Sequence, residues 1–269
     1  MKTLSTSLRS IIAATAVLAS ASSQAVLITF DGQVATDGSG LTSQYVPSNN
    51  QVDPNDGYYI ETFDISTAIA GFPAGDTSYN DGNQPGCAVN TAGAAGISLN
   101  TSGSDAFAVR QGTAAYAAAP ANDQSCFGFT PAGGGVLPSW TEIDYSGFLT
   151  AGVRIDYFGF YWGSVDTYNS FEFYSGEELV ATVTGTSLLS ELGGTSGDRV
   201  GDGSNAYVNL FFDINEAFDR FRVVSTGIAG EFDNVVIGLD NRQQISEPGT
   251  LVVFALGLIG LCCGIRRKR

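Results

Sequence analysis

No long stretch with a helical period lies between Val26 and about Asp240. Short apolar-rich runs follow one another instead, which predicts strands joined by turns. In the N-terminal half these are "VLITF" (26–30), "GYYIETFDI" (57–65) and "DAFAVR" (105–110), separated by clusters of Gly, Pro, Asn and Asp. The C-terminal half is clearer. "VRIDYFGFYW" (153–162) is apolar at odd and even positions alike, as expected of a strand covered on both faces. "SFEFY" and "ELVATVTG" flank Ser175-Gly176, a hairpin turn, and "AYVNLFFDI", "RFRVVST" and "EFDNVVIGL" follow at sandwich-like spacing. The pattern predicts an all-β, jelly-roll-like antiparallel β-sandwich over residues 26–240, one domain without internal repeat. "VLITFDG" and "EFDNVVIGL" are expected to pair as terminal strands.

The two ends break this pattern. Residues 1–25 carry Lys2 and Arg9, a short apolar run from Ile11 to Ala21, and the small-x-small triplet Ser23-Gln24-Ala25. That order predicts a signal peptide cut by signal peptidase between Ala25 and Val26, and an exported domain. Residues 241–269 form a linker and tail. Its apolar run, Leu251–Ile265, is fifteen residues long and is followed by Arg266, Arg267, Lys268 and Arg269. As a helix it would reach about 22 Å against a hydrocarbon core of about 30 Å, a short transmembrane helix whose basic end stays cytoplasmic. The expected precursor is anchored in the inner membrane with its domain outside.

Charge and cysteine usage sharpen the picture. The chain holds 27 acidic and 12 basic residues and no histidine; six arginines and no lysine lie between Arg9 and Arg266. So acidic a domain repels nucleic acid, and the lack of histidine excludes Ser-His-Asp and Cys-His catalysis. No glycine loop of the nucleotide-binding kind opens a helix. Export places Cys87 and Cys126 in an oxidising compartment, where they are expected to form a disulfide; two buried thiols are the other reading. Cys262 and Cys263 read as small apolar residues of the tail.

Two groups of residues suggest chemistry. "YFGFYWGSVDTYNSFEFY" (157–174) has the composition of a sugar-stacking platform, with Tyr161, Trp162 and Tyr168 offering rings and Asp166 and Asn169 bonding hydroxyls. Core packing explains the same aromatics. Acidic loops at "DPNDG" (53–57), at Asp198, Asp202 and Asn205, and at Asp233-Asn234 suit a structural Ca2+, although Asx-turns explain them without metal and no ligand set follows from spacing. The metal ligands, if any, are therefore unknown, and no other cofactor is indicated. Catalysis would need two converging carboxylates, which spacing alone does not show.

The tail also carries a resemblance. Glu247-Pro248, the small pair Gly249-Thr250, a Leu/Gly-rich helix and a terminal basic cluster resemble the PEP-CTERM sorting signal. Ser246 stands where that family usually has its first proline. The resemblance implies recognition and processing by an exosortase, an integral-membrane cysteine protease, in a Gram-negative bacterium that makes exopolysaccharide-rich biofilm. "FDNVVIG" is similar to the last strand of many PEP-CTERM domains, and the 157–174 stretch is similar to one family of exosortase-dependent surface proteins. The resulting expectation is a non-enzymatic protein of the cell surface or extracellular matrix. The alternative is a carbohydrate-binding module for exopolysaccharide on the same scaffold, and a glycan-active enzyme stands third.

Overall fold

The computed structural model describes residues 26–65, 75–82, 84–91, 96–133 and 135–241. The leader expected over residues 1–25 and the tail expected after Asn241 lie outside the described residues. Among the described residues there are fourteen strands and one α-helix. In chain order the first seven strands are β1 (Leu27–Thr29), β2 (Gln33–Val34), β3 (Leu41–Thr42), β4 (Tyr58–Glu61), β5 (Ser98–Thr101), β6 (Ala108–Gln111) and β7 (Cys126–Thr130). They are followed by β8 (Ser139–Asp144), β9 (Ile155–Gly163), β10 (Asn169–Ser175) and β11 (Glu178–Thr184). Helix α1 (Gly185–Leu192) comes next, then β12 (Ala206–Phe211), β13 (Arg220–Ser225) and β14 (Gly230–Leu239).

All the strand pairs are antiparallel. One sheet runs β1-β12-β9-β14-β7-β6, with β4 also paired to β14; the other runs β11-β10-β13-β8-β5; β2 and β3 form a small separate ribbon. The two large sheets face each other through aromatic side chains. Phe160 of β9 stacks on Phe171 of β10 at 3.9 Å, and Phe158 meets Phe173 at 5.0 Å and Phe221 at 4.7 Å. The hairpin expected at Ser175-Gly176 is present as β10–β11, with Gly176 at φ 55° in the turn.

The outer face of the larger sheet explains why β9 is apolar on both sides. Its alternate residues Tyr157 and Tyr161 point away from the second sheet and lie under the N-terminal segment 32–52 and the loop 115–123. Tyr157 packs with Val46, Val52, Ile60 and Val236, and Gly40 (φ 76°) sits where a Cβ would strike the Tyr161 ring at 2.6 Å. The covering layers are thus a sheet on one side and irregular chain on the other.

One expectation needs correction. "VLITF" does not pair with the last strand: β1 pairs with β12, while β14 runs between β9 on one side and β7 and then β4 on the other. A ten-residue strand buried along its whole length satisfies its backbone only in the sheet interior, so it cannot serve as a terminal edge. Helix α1 leaves no mark on the hydrophobic pattern. Eight residues are too few to show a period, and its signal is its caps: a reciprocal Thr184–Ser187 capping box and Gly193 at φ 67°. No helix among the described residues is long and apolar enough to cross a membrane.

Candidate functional site

The turn from β9 into β10 leaves the sandwich at Gly163 and re-enters at Asn169. Ser164, at φ 38°, makes the bend; its N–H donates to Asn205 Oδ1 at 2.9 Å and its hydroxyl to Glu231 Oε2 at 2.9 Å. A serine held in the left-handed region is strained, and these buried bonds compensate. The turn projects Asp166 and Tyr168 into a cavity of about 230 Å3, whose walls are the 115–118 loop, Gly197 and Arg199, and the 228–231 segment. Asp166 accepts from the Ser196 hydroxyl at 2.7 Å, and the Tyr168 hydroxyl lies 2.6 Å from both the Asp166 carboxylate and the Ile228 carbonyl. Burial, then the adjoining carboxylate, raises the Tyr168 phenol above its ordinary range. It therefore remains a hydrogen-bond donor at any physiological pH.

Glu231 forms the cavity floor. Its oxygens accept from the Ala118 N–H at 2.8 Å and from Ser164, and burial pushes its carboxyl up to about 8. Arg199 is exposed at the rim, and Tyr116 adds a half-buried ring beside it. The cavity thus offers a carboxylate, a phenol, a guanidinium and an aromatic edge around one concave space, the mixture that suits a ring with apolar faces and hydroxyl rims.

Of the sequence-named aromatics and polar partners, only Asp166 and Tyr168 are brought together here. Trp162 and Tyr161 are 0% and 1% exposed. Trp162 lies in the core against Phe160 and Phe171, and the Tyr161 hydroxyl donates to the Ala121 carbonyl at 2.7 Å under the covering loop. Asn169 is also buried; it donates to the Ala229 carbonyl and accepts from Ser225. These three hold the fold and present no surface to a ligand. The residues that sequence reasoning missed are Arg199 and Tyr116, from two distant loops, and Glu231, from the start of β14, with no shared motif.

A second surface also escapes sequence reading. The open face of the smaller sheet carries Trp140, with the Arg222 guanidinium 4.4 Å from its ring, and Arg222 in turn donates to Glu142 at 2.8 Å. Tyr174 lies across the same row, beside both Arg220 and Arg222. Cross-strand pairs of this kind cover a sheet face as well as they bind a ligand.

The expected disulfide is formed: Cys87 and Cys126 are bonded, with Cα atoms 5.5 Å apart. The acidic loops divide into two kinds. Asp53 accepts from Asn55 and caps a short 3-10 turn, and Asp198 accepts from the Val200 and Gly201 amides. Asn205 is spent on Ala121, Ser164 and the carbonyls of Asp198 and Gly201, while Asp202 opens another 3-10 turn. These are Asx-turns and caps. Asp233 is different, because it is fully buried in a strand and no hydrogen bond reaches either oxygen.

No family model and no curated protein matches the chain. Among solved structures it is similar to a family 29 carbohydrate-binding module, at 12% identity and a TM-score of 0.27, over 56% of this chain and 99% of that one. It is similar to a Clostridium thermocellum endo-1,4-β-D-xylanase 10B, in a structure of its family 22 carbohydrate-binding and GH10 modules with xylohexaose (10% identity, TM-score 0.29). That match covers 57% of this chain and 28% of the xylanase chain. The enzymatically active domain of bacteriophage CBA120 tailspike protein 4 is similar at 14% identity and a TM-score of 0.28, over 64% of this chain and 22% of its own. Likenesses this distant carry no argument about what the chain does.

Proposed function

We propose that the chain is an exported, non-enzymatic protein of the cell surface or extracellular matrix whose jelly-roll-like domain binds a polyhydroxylated glycan, such as an exopolysaccharide. One observation carries the binding reading. Asp166 and Tyr168 enter a single concave space together with Arg199 and Tyr116, a set of acceptors, donors and ring edge matched to a sugar. The non-enzymatic part rests on the sequence, which has no histidine for Ser-His-Asp or Cys-His catalysis. Export and sorting rest on the sequence alone. The leader implies signal peptidase, and the Glu247-Pro248 motif with its apolar run and basic end implies exosortase acting on a membrane-anchored precursor of a Gram-negative cell.

Binding is tested by affinity electrophoresis of the full chain in exopolysaccharide from its native cells. Asp166→Ala removes a charged acceptor and is expected to weaken retention about tenfold or more, with an unchanged melting temperature. Trp140→Ala, on the open face of the smaller sheet, should leave retention unchanged. The reverse pattern would move the site to that face, and no retention of the unaltered chain would end the glycan reading. Release of reducing ends from the polysaccharide would show an enzyme instead.

A further inference from the structure

The carboxylates of the cleft have partners, whereas a second acidic group, beneath the N-terminal segment, does not. Asp233 lies where β14 bulges between its pairing with β7 and its pairing with β4; the register with β9 shifts between Asp233 and Val236, and Asn234 takes φ 48°. Both Asp233 oxygens are buried and accept no hydrogen bond. Its polar neighbours are the Asn234 main-chain amide and the carboxyl of Asp123, which stands within hydrogen-bonding reach. Asp123 is itself 7% exposed. Its Oδ1 accepts from the Ser125 N–H and hydroxyl at 2.8 and 2.7 Å, and its Oδ2 is buried without a donor. Neither residue takes part in an ion pair among the described residues.

Further negative charge lies nearby. Asp64, whose Oδ1 accepts from the Cys126 N–H at 3.3 Å, and the exposed Asp37, which accepts from Ser39 and Asn50, both act on Asp233 electrostatically. Buried carboxylates facing each other have two stable solutions: they share protons, or a cation sits between them. The carboxylate oxygens of Asp123 and Asp233 are hard ligands, and they come from separate segments whose mutual position a cation would fix.

We propose that Asp123 and Asp233 bind a Ca2+ ion that clamps the 120–125 loop, which leads into the disulfide-linked Cys126 of β7, to the bulge of β14. Among the described residues no three acidic, cysteine or histidine side chains converge as a closed cage. The two carboxylates therefore fill part of a shell of six to eight oxygens, and main-chain carbonyls and water supply the rest. The site is independent of the cleft and of any glycan.

The test is thermal unfolding of the full chain in EDTA and with Ca2+ at about 10 mM, well above the ~10⁻⁴–10⁻³ M dissociation constants of extracellular calcium modules. Ca2+ is expected to raise the melting temperature by roughly 5–10 °C. Asp233→Asn and, separately, Asp123→Asn should abolish that rise, while in EDTA each variant melts no lower than the unaltered chain, because a buried like charge has been removed. Asp198→Asn, in an exposed turn, should keep the rise. Tb3+ alone should give luminescence sensitised by the nearby Tyr161, displaced by Ca2+ and lost in Asp233→Asn. No rise with Ca2+, an equal rise with Mg2+, or an equal rise in Asp233→Asn would overturn the proposal and leave a proton-sharing acid pair.

Discussion

Glu61, at the end of β4, is 1% exposed and accepts from the Thr91 N–H and hydroxyl, the Phe63 N–H and Asn90 Nδ2. Burial outweighs these donors and pushes its carboxyl up to about 7 from an ordinary 4.5. A folded value above the unfolded one means that the fold favours the protonated form. Its contribution is fully present below about pH 4.5 and is lost as pH rises through 7, by up to about 3 kcal/mol. Glu61→Gln cannot titrate. In urea unfolding, the stability difference between the unaltered chain and Glu61→Gln should therefore shrink from pH 4.5 to pH 8; a constant difference would refute the assignment. Trp162 makes a second residue-scale case. Trp162→Ala should cost about 3–5 kcal/mol, the value for emptying an aromatic core site. Trp162→Phe should cost less, because it also removes an indole N–H that has no acceptor. A Trp162→Ala chain of unchanged stability would place the ring outside the core.

At the scale of elements, two devices fasten irregular chain onto the larger sheet. The Cys87–Cys126 bond spans 39 residues and ties the segment after β4 to β7. Its removal, as Cys87→Ala with Cys126→Ala, should lower stability by about 2–4 kcal/mol in chemical unfolding. The other device is Asn234, whose Nδ2 reaches the Ser39 carbonyl, the Ser39 hydroxyl and the Leu41 carbonyl, and whose Oδ1 accepts from Asn50. Asn234→Ala leaves several of these groups buried without partners, which costs about 1–3 kcal/mol for each such group. Hydrogen exchange should accelerate first in residues 35–50, ahead of β9. Uniform acceleration would mean that this segment has no separate opening.

At the scale of the whole molecule, the described residues form a two-sheet core with a third, irregular layer over one side, and the glycan and cation proposals sit at different places on that plan. The leader and tail, which the sorting proposal needs, are argued from sequence. Intact mass of the chain recovered from its native cells should show a start near Val26 and an end near Glu247. A chain still ending at Arg269 would leave a retained anchor instead. Deleting Gly249–Arg269 should release the domain into the medium.

The β-rich, antiparallel character was legible from "VRIDYFGFYW" and "SFEFY", because residue composition and the turn residues between runs are local properties. So were the capacity of Cys87 and Cys126 to pair in an oxidising compartment and the absence of histidine chemistry. The site was half legible: Asp166 and Tyr168 stood out in one loop, but Trp162 and Tyr161 beside them belong to a strand and face inward, one toward each covering layer. Sequence could not separate ring as core from ring as platform, because both use the same residues at the same spacing. Which strand lies beside β14, which loops wall the cleft and which two aspartates face each other depend on contacts between residues such as 123 and 233. Those contacts are set by the packing of the layers, and only the tertiary structure decides them.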